Sequence, residues 1–192
     1  MAPPAADLLV AAVAAVKVDL GWLYTDWSVR APTLESSTAV TAMAQEEVGH
    51  ARVLGGLVAG DLEGERIACV RDGASTWPAL VGTVGPVELA LGRLTRALAG
   101  CRHDALRSRA RKMAEEERFH ELFVEGWSDL LGADAPEVSG AFFEAVARSQ
   151  GQTAAWVASM DALAAEGDVL DAGVLAHDCL ARVMAIGRPG GG

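Results

Sequence analysis

Two octapeptides carry the residues best suited to chemistry: Met43–His50, reading MAQEEVGH, and Met113–His120, reading MAEEERFH. They align as M-A-x-E-E-x-x-H, and Glu47 and Glu117 stand 70 residues apart. Each supplies a Glu-x-x-His pair, Glu47 with His50 and Glu117 with His120. Residues three apart on a helix share one face. Met43 and Leu54 flank the first pair and Met113 and Val124 the second, which turns both faces toward a core. A carboxylate and an imidazole on such a face are costly unless something pairs with them, and a metal ion would pair with both. One Glu-x-x-His is weak evidence, but its duplication is specific. Ferritin-like carboxylate bundles bind two metals with such a pair from each of two helices and one carboxylate from each of the other two.

The elements that must position these pairs are helical. Alanine and leucine are abundant, aromatic residues make up 5%, and β-branched runs are short, a composition that favours helices over strands. A first helix is expected over about 5–28, ended by Arg30-Ala31-Pro32-Thr33. A second, capped by Thr33 or Ser36, should run to about Ala59. The glycine-rich stretch Gly60–Gly85 reads as a loop, with a short helix near Glu63–Val70. Pro86 fits the first position of a third helix, Pro86–Ala99. Asp104 can cap a fourth that runs to about Leu131, and helices over Glu137–Glu166 and Val169–Ile186 complete the chain. The expected fold is all-α: a ferritin-like four-helix bundle with additional C-terminal helices, one domain over 1–186 and a flexible tail over 187–192.

The hairpin geometry predicts the two missing carboxylates. A residue level with Glu47 should fall near positions 17–19 of the first helix, where Asp19 stands. The partner of Glu117 should fall near 85–89 of the third, where Glu88 stands. Six ligands result: Asp19, Glu47, His50, Glu88, Glu117 and His120. Four carboxylates and two imidazoles suit two iron ions, with manganese as the alternative, better than zinc. Glu46 and Glu116 could orient the histidines from neighbouring helices, but solvated surface acids are the simpler reading of each. Met43, Leu91, Met113 and Phe119 read first as ordinary packing and second as pocket lining.

Composition excludes several classes. With 51% hydrophobic and 22% charged residues over 192 positions, the chain is not a disordered one. A net charge of -10 opposes nucleic-acid binding. No apolar run reaches the roughly 20 residues of a membrane span. Cys69, Cys101 and Cys179 form neither a disulfide framework nor a zinc cluster, so a cytoplasmic location is expected. Eight of the 16 basic residues lie between Arg93 and Arg118. They suit a phosphate-bearing ligand, a partner subunit, or simply a solvated helix face.

Trp27–Leu34, containing RAPTL, with Glu46–Arg52, containing EEVGHAR, resembles the ferritin-like subunits of phenylacetyl-CoA epoxidase. Lys112–His120, ending EERFH, is similar to the second metal-binding helix of its catalytic subunit. The resemblance covers about residues 17–130. It implies a di-iron centre that activates O2, electrons from a separate reductase, a small-molecule substrate such as an aryl- or acyl-CoA thioester, and a homo- or hetero-oligomer. Asp19 departs from the glutamate expected in the catalytic subunit, and GHAR is worded like the structural subunit. Two other readings stand beside a di-iron monooxygenase or oxidase: a non-catalytic structural subunit of such an oxygenase, and iron storage or peroxide scavenging of the ferritin or rubrerythrin kind.

Overall fold

The computed structural model describes residues 3–58 and 63–175. Among them are six helices: α1 (Ala5–Trp27), α2 (Leu34–Gly55), α3 (Ala68–Asp72), α4 (Trp77–Leu98), α5 (Asp104–Gly132) and α6 (Pro136–Glu166). The all-α expectation holds. Helices α1 and α2 form one hairpin and α4 and α5 a second, while α6 packs along α4 and also touches α1. None of the described helices is long and apolar enough to cross a membrane.

The first hairpin turns where the sequence breaks. Ser28–Thr33 carries Pro32, and the Arg30 and Ala31 amides bond the Trp27 carbonyl to finish α1. Thr33 then caps α2 reciprocally: its hydroxyl accepts from the Ser36 amide, and Ser36 Oγ accepts from the Thr33 amide. This satisfies two amides that a helix start otherwise leaves without partners.

The second hairpin starts earlier than expected. The third long helix begins at Trp77, not Pro86, and Pro86 lies inside it. Pro78 is the proline of its first turn, and Thr76 Oγ1 accepts from the Ala79 amide. Gly82, which reads as loop, serves packing instead, while Gly64 and Gly73 do lie in loop. A Cβ on Gly82 would stand 2.5 Å from the Phe142 carbonyl oxygen and 2.8 Å from Ala145 Cβ, so only glycine lets α4 approach α6 this closely. Helix α4 lies between α5 and α6 and is buried on most of its circumference, which is why its sequence is apolar nearly all round.

Two other expectations shift. The short helix falls at Ala68–Asp72, C-terminal to its expected place. Residues 169–173 are bends and turns, and helix begins only at Val174 and Leu175, later than the expected Val169. The Asp161 carboxylate there accepts from the amides of Gly173 and Leu175. The remainder of the expected last helix, and the tail over 187–192, lie outside the described residues.

Candidate metal centre

Each long helix of the two hairpins sends polar side chains into the middle of the bundle. Helix α2 supplies Glu47 and His50, α4 supplies Glu88, and α5 supplies Glu117 and His120. Glu47, Glu88, Glu117 and His120 are fully buried, and His50 nearly so. One ligand atom from each of Glu47, Glu88, Glu117 and His120 lies within 4.8 Å of the others, so this cluster can hold a metal ion. Five of the six residues expected from sequence are thus brought together, four of them in one ligand set with His50 at its edge.

Asp19 is the exception. It points away from the cluster and pairs with Arg66, in the segment joining α2 to α3. Lys17 takes its place. The Lys17 side chain is fully buried, and its Nζ donates to Glu47 Oε2 at 2.9 Å, to Glu47 Oε1 at 3.2 Å and to Glu117. The height expected from the hairpin, 17–19, is correct, but the residue facing inward at that height is the lysine. The stripe Leu9, Val13, Val16, Leu20 and Tyr24 marks the inner face of α1. Lys17 lies on it, four residues after Val13 and three before Leu20, whereas Asp19 falls off it.

The two histidines are braced alike, His120 within the candidate ligand set and His50 at its edge. His120 directs Nδ1 inward, 3.1 Å from Glu47 and 3.2 Å from Glu88, while Nε2 meets Glu46 at 2.8 Å. His50 directs Nε2 to Glu116 at 2.6 Å, and its Nδ1 stands 3.5 Å from Glu117 Oε1 with no hydrogen-bond partner. In metal proteins a ligating imidazole is held this way, one nitrogen toward the ion and the other on a carboxylate. Glu46 and Glu116 are therefore not solvated surface acids. They exchange partners across the α2–α5 seam, each bonding the histidine of the other repeat. A sequence signal exists: both occupy the same position of the repeat, directly before the inward glutamate.

Tyr24 is a member of the centre that sequence reasoning missed. It is fully buried on the α1 inner stripe, and its hydroxyl donates to Glu88 Oε1 at 2.5 Å. Met43, Leu91 and Met113 are core residues, and Phe119 is exposed. Part of the basic run is engaged in surface ion pairs, Arg96 with Glu121 and Arg107 with Asp104. A groove of about 410 Å³ runs beside α1 and α2, lined by Thr25, Ala44, Gln45, Val48, Gly49 and Arg52. None of the cluster residues lines it.

The electrostatics are those of a self-paired centre. Burial alone would drive Glu117 toward its neutral form, but Lys17, with His50 and His120, outweighs it and holds the carboxyl at about 2. Burial works against the charged forms of Lys17 and His120 as well. The surrounding carboxylates prevail and raise both, Glu117 and Glu47 acting on Lys17, and Glu88 with Glu46 and Glu47 on His120. Burial raises Glu88, against the pull of His120. Glu46 is lowered by its bond to His120.

The residues do not fit the two-metal centre that a ferritin-like catalytic subunit implies. No carboxylate from α1 enters the cluster, and the α1 side chain that does enter is a cation. Its ammonium already engages Glu47 and Glu117, one glutamate from each repeat. No protein-family model matches the chain, and no curated protein matches it significantly.

Proposed function

We propose that this chain is a non-catalytic helical partner of a ferritin-like oxygenase of the phenylacetyl-CoA epoxidase kind, and not the subunit that activates O2. The observation that carries the reading is Lys17. An ammonium at the α1 corner of the centre removes one of the carboxylates a metal pair needs and places a positive charge among the rest. A fully buried cation with two carboxylate partners is a settled arrangement, since separating them would leave charge uncompensated. What remains is a four-helix frame around a polar centre whose charges are largely paired within the chain. On this reading the di-iron centre, the reductase, the O2 chemistry and the aryl- or acyl-CoA substrate belong to a catalytic partner subunit.

Features at one end of the bundle support a partner role. Trp27, Trp77 and Trp127 pack edge to face, with ring centroids 5.7 and 5.1 Å apart. These contacts bring the end of α1, the start of α4 and the end of α5 together. Val29, Leu34 and Leu130, at this same end, are 88, 79 and 64% exposed. The RAPTL turn thus presents apolar side chains to solvent.

The test is oxygen uptake by the reduced protein after anaerobic loading with ferrous iron. The reading predicts no uptake beyond that of free ferrous iron in the same buffer. Rapid, stoichiometric uptake with iron retained in the protein would restore the catalytic assignment.

A further inference from the structure

We propose that the bundle binds a single divalent first-row cation through Glu47, Glu88, Glu117 and His120, with the Lys17 ammonium serving as a built-in second cation where a two-metal centre would have its other ion. The inference deepens the non-catalytic reading and rests on it for the role of the site, though not for its geometry.

Three observations carry it. The four ligand atoms are already gathered within 4.8 Å of one another, with no rearrangement of helices required. Glu117 Oε2 is fully buried and makes no hydrogen bond, a polar atom left over after Lys17 has taken Oε1. His120 keeps Nδ1 toward the cluster while Glu46 holds Nε2 from outside, the orientation that leaves one nitrogen for a metal. Formal charge agrees. Glu47, Glu88 and Glu117 carry three negative charges, and one divalent ion with one ammonium cancels them while His120 stays neutral as a ligand.

Chemistry narrows the ion. Three carboxylates and one imidazole form a mixed oxygen and nitrogen set, which suits ferrous iron or manganese better than magnesium or calcium, which prefer all-oxygen sites. The other half of the centre offers His50 Nδ1 and a share of Glu47 and Glu117, and Lys17 lies on those same two carboxylates. A second ion would have to displace a fully buried ammonium.

The experiment is an anaerobic titration of the chelator-treated full chain with Mn2+, counting bound metal by elemental analysis and free Mn2+ by its electron paramagnetic resonance. One ion per chain is expected, lost in Glu88→Gln and retained in His50→Gln. Lys17→Glu, which returns a carboxylate to α1, is expected to raise the count to two. Two ions in the unaltered chain, or none, would overturn the proposal, as would loss of the ion in His50→Gln or its persistence in Glu88→Gln. A folded Lys17→Glu protein that still binds one ion would remove the role given to Lys17. Circular dichroism reports whether that variant folds. If it does not, the counts in the unaltered chain, in Glu88→Gln and in His50→Gln decide. Oxygen uptake is independent of these counts: one ion with uptake refutes the non-catalytic reading alone, and two ions without it refute only the single-ion site.

Discussion

One side chain, Lys17, decides how the centre of this bundle is read. Its ammonium joins a glutamate from each of the two repeats, and all three side chains are fully buried. Removing the cation would leave carboxylates facing each other in a medium that cannot screen them. Lys17→Met should therefore destabilise the metal-free protein by about 3–5 kcal/mol, measured by urea unfolding. A loss below about 1 kcal/mol would mean that the pair is not formed or not buried, since that is the worth of an exposed pair. The same cluster sets a pH dependence. Glu117 is lowered from 4.5 to about 2, so its contribution is present above pH 4.5 and lost as pH falls toward 2. His120 is raised above 6.5, so its contribution is complete below pH 6.5 and declines as pH rises toward the folded value. Glu88 is raised above 4.5, so its contribution is complete below pH 4.5 and declines as pH rises. Metal-free protein should therefore lose stability below pH 4.5 through Glu117 and above it through Glu88 and then His120, and His120→Gln should flatten the part of the decline above pH 6.5 in a pH series of urea unfolding curves. Five of the six residues expected at the centre are legible there because the repeat and the hairpin heights constrain their positions, four of them gathered as one candidate ligand set and His50 at its edge. Asp19 has the expected height along α1 but the wrong angle around it. The apolar stripe of α1 contained that angle, and it selects Lys17.

At the scale of elements, the hairpins were legible where punctuation is local. Pro32 and the Thr33–Ser36 capping box mark the first turn. Asp104, expected as the cap of α5, is instead its first helical residue; His103 stands at the cap position and no side chain caps the helix. The start of α4 was not legible, because glycine and proline have two uses that a sequence window cannot separate. Gly82 and Gly85 read as loop, yet Gly82 sits in a helix because α6 passes too close for any side chain. The competing force is tertiary packing, which overrides helix propensity. This gives a direct expectation. Gly82→Val should destabilise the protein by roughly 1–3 kcal/mol through forced separation of α4 and α6, with little change at Gly140, where a Cβ meets nothing. Thermal unfolding of Gly82→Val beside Gly140→Val measures the contrast. Equal effects would mean that helix propensity, not the α4–α6 approach, is what Gly82 serves. The exchange of Glu46 and Glu116 across the α2–α5 seam was not legible for a similar reason. Sequence shows that each is beside a ligand, but only the antiparallel crossing of the two repeats puts each beside the other's histidine.

For the whole molecule, the fold is a helical bundle with a buried Glu/His cluster at its centre and a lysine at one corner of it. The two repeats face each other, their histidines are braced from outside, and four ligand atoms converge. With Lys17 on α1, the bundle carries one cation as part of its own chain. On the proposed reading the Glu-x-x-His pairs are kept without oxygen chemistry because, with Lys17 and one bound ion, they would neutralise the interior that the helices enclose. The most direct test is anomalous diffraction from crystals of the full chain grown with Mn2+. The account predicts one anomalous peak per chain among Glu47, Glu88, Glu117 and His120, with Lys17 Nζ still on Glu47 and Glu117. Two peaks, with Lys17 turned out of the centre and Asp19 or another carboxylate turned in, would contradict it.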